Sequence, residues 1–75
     1  MTSDLTAALI PITLNGNPEL VPAGCTIEAL LRRHHIAPSD VGTALNGDFV
    51  PRAQRATLLL QRGDAVTCFQ PIVGG

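Results

Sequence analysis

Seventy-five residues suffice for one domain, near the lower limit at which a single hydrophobic core sustains a fold. Leu, Ile, Val and Phe supply 22 of the 75, about 29%, well above the roughly 20% below which chains tend to stay disordered. A net charge of −1, with five Arg, no Lys and no Trp or Tyr, offers nucleic acid neither a basic stripe nor a stacking platform.

No apolar run approaches the roughly 20 residues of a membrane span, and the first fourteen residues carry Asp4 but no Lys or Arg, unlike a signal peptide. A cytoplasmic protein that binds no nucleic acid and enters no membrane is therefore expected. Cys25 and Cys68 stand far apart and form no Cys-x-x-Cys pair, so reduced thiols are expected rather than a disulfide framework or a zinc site.

Residues 1–9 read as an amino-terminal extension, although the alternation proper starts at Leu9. Over "LIPITL", Ile10, Ile12 and Leu14 alternate with Pro11 and Thr13, the period of a half-buried strand. Pro11 donates no hydrogen bond and confines that stretch to an edge or an unpaired position. "NGNP" is a turn, with Asn15 and Gly16 suited to positive φ, and "ELV" is the returning strand, ended by Pro22. Thr26 caps a helix in which Ile27, Leu30 and Leu31 fall on one face, with Glu28 in the first turn and Arg32 and Arg33 in the last. Pro38 disfavours helical geometry at Ala37, so the helix stops by Ile36.

"VGTAL", "NGD" and "FV" give a third strand, a tight hairpin at Asn46 and Gly47, and a short fourth strand halted by Pro51. "RAQRA" is a single turn, and "TLLLQRGDAVTCFQ" is an apolar run, a turn at Arg62 to Asp64, and a last strand with Val66 and Cys68 on one side and Thr67 and Phe69 on the other. The order β, β, α, β, β, β predicts an α+β roll of the ubiquitin-like β-grasp kind, a mixed four- to five-stranded sheet with one main helix. The domain spans 10–70, with its last strand beside its first, its carboxyl end at the sheet's rim, and a flexible tail over 71–75.

That tail, "PIVGG", is the candidate site. Gly74 and Gly75 have no Cβ, so they thread a narrow channel in extended form and bring the carboxylate of Gly75 to another enzyme's nucleotide. A carboxylate is a poor electrophile; coupling it to AMP lets a sulfur nucleophile displace the AMP and leaves a terminal thiocarboxylate. On this reading the domain is no enzyme but a tethered substrate that binds no cofactor, ATP being used by its activating partner. Phe69 is expected to face out beside the tail, where an exposed aromatic serves as a partner contact. Ile72 and Val73, beyond the last strand, are expected to contact a partner as well.

Taken together, "LNG", "FVPR", "GD" and "FQ" followed by three residues and "GG" over 44–75 resemble the ThiS family of sulfur carriers of thiamine biosynthesis, in the family's order and spacing. "ITLNGNPELVPAGCTIEALLRRHHI" resembles its hairpin and helix more loosely. The resemblance implies a ThiF-type adenylyltransferase that activates Gly75, a persulfide as sulfur donor, and thiazole synthase, ThiG, as the enzyme that takes the sulfur. Departures are the extra residues at the amino terminus and Pro71, which has no N–H to offer a pairing strand. The small subunit of molybdopterin synthase, another thiocarboxylate carrier, a ubiquitin-like protein modifier and a plain β-grasp binding module are the alternatives. A chain without Lys excludes polymers linked through its own side chains, and it fits an activated carboxyl end as well as a simple codon preference.

Of the other candidates, His34 and His35 project about 100° apart on a helix, a poor geometry for one metal ion. Cys25 lies beside the helix start, where a dipole lowers a thiol pKa, yet suits a small apolar filler better; Cys68 points into the core. Arg52 and Arg55 are read as solvated surface charge rather than partner contacts.

Overall fold

The computed structural model describes residues 9–70; residues 1–8 of the expected extension, and Pro71, Ile72, Val73, Gly74 and Gly75 of the expected tail, lie outside the described residues. Leu9, which the expected 1–9 extension included, instead opens the first strand and pairs with Pro22. Strands β1 (Leu9–Leu14), β2 (Asn17–Pro22), β3 (Gly42–Leu45), β4 (Asp48–Val50) and β5 (Ala65–Phe69) form one sheet in the order β2-β1-β5-β3-β4. Among the described residues one α-helix, α1 (Ile27–Arg33), lies across it, with short 3-10 turns at Pro38–Asp40 and Arg52–Gln54. β1 and β5 run parallel while the other neighbours are antiparallel. This mixed sheet with its crossing helix is the ubiquitin-like β-grasp fold, with five strands.

Both hairpins turn on Asn-Gly. Asn15 and Gly16 have φ of 52° and 84°, and Asn46 and Gly47 have 52° and 88°. Positive φ at both central residues matches the right-handed strand twist, and Asn and Gly adopt it at least cost. The first turn is confined to these two residues, so β2 begins at Asn17, earlier than "ELV" suggested, and pairs back as far as Leu9↔Pro22. Pro11 pairs in register with Leu20 and its carbonyl accepts the Gly63 N–H, but its nitrogen falls where no ladder bond is required. Thr13 donates to the Asp64 carbonyl, so odd-numbered nitrogens of β1 face β5, and β5 begins to pair only at Thr13.

Helix α1 is short and held at both ends. Thr26 Oγ1 accepts from the Ala29 N–H at 3.1 Å, and the Arg55 carbonyl accepts from the Glu28 N–H at 3.2 Å, so two donors of the first turn find partners. At the other end His35 takes φ 57°. Its N–H donates to the Arg32 carbonyl and that of Ile36 to Leu31, the pattern of a Schellman cap. Ile27, Leu30 and Leu31 are buried and join Ile12, Leu14, Val21, Val50, Leu60 and Val66 in the interior. Each such side chain contributes about 1.5–3 kcal/mol of burial, which is what holds so short a helix in place.

Two expectations are corrected. β5 is the central strand, paired with β1 on one side and β3 on the other, so the chain leaves the middle of the sheet and not its rim. Arg55 is buried at 4% exposure and is not solvated charge. Its Nε donates to Thr43 Oγ1 at 3.1 Å, Nη1 to the Pro38 carbonyl at 2.9 Å and Nη2 to the Val41 carbonyl at 2.7 Å. Three neutral acceptors replace the lost water, and Thr43, fully buried, donates its own hydroxyl hydrogen bond to the Val50 carbonyl. Arg52 is exposed, as expected.

Candidate functional site

The site is built where β5 leaves the sheet. Alternation along β5 turns Val66 and Cys68 toward α1 and the core, and Ala65, Thr67 and Phe69 toward the opposite, uncovered face. Phe69 is 41% exposed and faces outward, as the alternation predicts. It stands opposite Gly42 in the β3–β5 ladder, and its ring lies over the bare α-carbon: a Cβ built on Gly42 would come within 2.4 Å of Phe69 Cε1. Glycine is needed there because of the ring and not because of its backbone, since Gly42 is absent from the residues with positive φ.

The same uncovered face carries Leu9 and Pro11 of β1, Leu20 and Pro22 of β2, and Phe49 of β4, each in register with an outward neighbour: Leu9↔Pro22, Pro11↔Leu20, Ala44↔Phe49. No outward position of the five strands is charged, and Leu20 and Phe49 are 57% and 65% exposed. This face is therefore an apolar one, and its exposed side chains are not covered by any other described element. The charge sits on the helix side, where Glu19 meets Arg33 Nε at 3.4 Å and His34 Nε2 at 2.7 Å.

The strand is held on both sides by the turn asparagines. Asn46 donates its N–H to the Ala65 carbonyl at 2.7 Å and accepts the Ala65 N–H on Oδ1 at 2.9 Å, while its Nδ2 donates to Asp64 Oδ1 at 3.1 Å. Asn15 donates its N–H to the Val66 carbonyl and accepts the Cys68 N–H on Oδ1, both at 2.8 Å. These roles escaped a reading of the sequence as turns alone; the repeat of "LNG" before β2 and before β4 was the available signal.

Cys25 is buried beside the helix start, and burial pushes its thiol up, against the lowering that the helix dipole suggested; nearby Arg33 pulls the other way more weakly. Cys68 is half-buried against the core and is likewise raised by burial, partly offset by the Arg55 guanidinium. Both thiols are protonated near neutral pH and suit packing better than sulfur transfer. His34 is engaged with Glu19 and His35 holds the positive-φ position after the helix cap, and among the described residues no three metal-ligating side chains converge. Among the described residues no helix is long and apolar enough to cross a membrane.

Residues 5–75 match the model of the ThiS family. The sulfur carrier protein ThiS of Escherichia coli (strain K12) is 34% identical over 64 residues, which cover 85% of this chain and 97% of that protein. The crystal structure of a thiamine biosynthesis protein (ThiS) from Geobacter metallireducens superposes with a TM-score of 0.78 at 28% identity, covering 88% of this chain and all of that one. Its solution structure by NMR gives 0.65 at 29% identity, over 88% and 87% of the two chains. With a family match that spans nearly its whole length and a fold shared with a solved relative, the chain belongs to the ThiS family.

Proposed function

We propose that this chain is a sulfur carrier of thiamine biosynthesis and acts as a substrate of its partner enzymes rather than as a catalyst. The observation that carries the reading is the family match, which runs through Gly74 and Gly75 and includes a curated sulfur carrier that matches over nearly its full length. A ThiF-type adenylyltransferase couples the carboxylate of Gly75 to AMP from its own ATP, releasing pyrophosphate. The terminal sulfur of a persulfide donor then attacks the acyl carbon and expels AMP, giving an acyl disulfide. A second thiol of the partner attacks the donor's inner sulfur, so that a disulfide forms on the partner and a thiocarboxylate is left on Gly75. That thiocarboxylate gives its sulfur to thiazole synthase in the cytoplasm.

The fold's part is docking and presentation. The uncharged face holding Phe69 and Phe49 meets the activating enzyme. Ile72 and Val73 add contacts along the tail, and Gly74 passes the narrow entrance to the nucleotide site because it carries no side chain.

The test is the intact mass of the chain after incubation with ATP, a ThiF-type enzyme and sulfide. A gain equal to replacing one oxygen by sulfur, lost on deleting Gly75 and retained in Cys25→Ala and Cys68→Ala, is the expected result. An unchanged mass with an enzyme that modifies its own carrier overturns the reading.

A further inference from the structure

The β1–β5 ladder is two residue pairs long, Thr13↔Ala65 and Leu14↔Val66, because the chain turns away at Asn15 and Gly16 toward β2. β5 runs on past that point through Cys68 and Phe69. In a parallel ladder, after the Asn15 N–H donates to the Val66 carbonyl, the next bond takes the Cys68 N–H to the main-chain carbonyl of residue 15. Here the acceptor is the side chain instead: Asn15 Oδ1 receives the Cys68 N–H at 2.8 Å. The amide extends β1 by one bond where its backbone has already departed.

That bond is the last one described on the β1 side of β5 before Phe69 and Gln70, and on the other side β3 ends opposite Phe69 at Gly42. We infer that Asn15 is a positioning residue for the carrier: it fixes the direction in which β5 leaves the sheet and, with it, the pose of Phe69. The inference rests on the proposed function for its consequence, since a carrier whose exit strand is held presents its end to the activating enzyme without an ordering cost. Two demands meet at this position. The turn needs φ of 52°, and the strand needs an acceptor. Asn supplies both, Asp supplies both, and Gly supplies only the first.

Asn15→Gly and Asn15→Asp therefore separate the turn from the bond. Amide hydrogen exchange on the 15N-labelled chain is expected to show protection at Cys68 falling on the order of fivefold in Asn15→Gly, with Val66 unchanged and Asn15→Asp close to the parent. With the ThiF-type enzyme, ATP and sulfide, the Gly variant is expected to raise the KM for the carrier about three- to tenfold at unchanged kcat, and the Asp variant to restore it. Unchanged protection at Cys68, a fall in kcat without a change in KM, or an Asp variant no better than the Gly variant overturns the inference. If the parent chain is not turned over at all, the proposed function falls, while the exchange measurement still decides whether Asn15 holds the strand.

Discussion

The aromatic ring of Phe69 rests on the α-carbon of Gly42, directly across the β3–β5 ladder, in space that any side chain at position 42 would occupy. A glycine in a strand costs roughly 0.5–1 kcal/mol relative to Ala, and here it is offset by ring contact over a backbone that offers no side chain of its own. The pairing also fixes an exposed aromatic on the uncharged face instead of leaving it to sweep through solvent.

Gly42→Ala is expected to be destabilising even though Ala is the better strand former. The new Cβ would stand 2.4 Å from Cε1 and 2.7 Å from Cζ of Phe69, so the ring must swing away. Overpacking costs about 1–3 kcal/mol and outweighs the gain of under 1 kcal/mol from the strand preference; a net loss of about 1 kcal/mol follows. Chemical denaturation measures it, and the displaced ring shows in the proton shifts of Phe69. In Phe69→Ala the same Gly42→Ala change should be neutral or stabilising, and additivity of the two changes would refute the contact.

Arg55 supplies the second prediction. Arg55→Met removes three donors and leaves the part-buried Pro38 and Val41 carbonyls and the buried Thr43 Oγ1 without the guanidinium. Unsatisfied buried acceptors cost about 1–3 kcal/mol each before relaxation and entry of water, so a loss of about 3 kcal/mol is expected. Arg55→Lys should recover little of it, because an ammonium cannot reproduce a planar fork aimed at three acceptors. Urea unfolding of the two variants decides this: a Lys variant as stable as the parent would mean that charge alone, and not the fork, is what the site requires.

What the sequence disclosed and what it hid divide along sequence distance. Asn15-Gly16 and Asn46-Gly47 were legible as turns because positive φ is a local demand, and α1 was legible from the spacing of Ile27, Leu30 and Leu31 between Thr26 and Pro38. The asparagine side chains were not, since the Asn15 bond to Cys68 spans 53 residues and exists only once β5 lies beside β1. Arg55 looked like surface because Arg is mostly exposed; its burial is decided by the carbonyls of Pro38 and Val41, 17 and 14 residues away. Gly42 carried no visible meaning until register placed it opposite Phe69. Of the candidate site, Phe69 was placed correctly by alternation alone, whereas the clasp that holds its strand comes from topology.

His35 offers a gain in stability. It holds φ 57° at the position after the helix cap, where a residue with a Cβ pays roughly 1–2 kcal/mol that glycine does not. Its backbone N–H to the Arg32 carbonyl is independent of the side chain. His35→Gly is therefore expected to stabilise the fold by about 0.5–1 kcal/mol, the full difference being reduced by the greater freedom of glycine in the unfolded chain. The thermal midpoint should rise by a few degrees, and a fall would show that the imidazole makes a contribution the cap geometry does not reveal.

The thiols set the alkaline limit. Burial raises both Cys25 and Cys68 above their ordinary 9.0 in the folded chain, so folding favours the protonated form of each. The unfolded state releases these protons first as pH rises. The stabilisation is thus fully present below the unfolded value, and it is lost as pH climbs from about 9 through the higher folded values. Stability from this source is flat between pH 6 and 8 and declines beyond about 9. Cys25→Ala should flatten that decline while lowering stability at neutral pH through the cavity it leaves, by roughly 1 kcal/mol. Alkylation reports the same chemistry directly: at pH 7 both cysteines should react with iodoacetamide more slowly than a free thiol, Cys25 more slowly than the half-buried Cys68, and both should accelerate together with unfolding. Rapid modification of Cys25 at pH 7 in the folded chain would contradict its burial and return it to consideration as a sulfur acceptor.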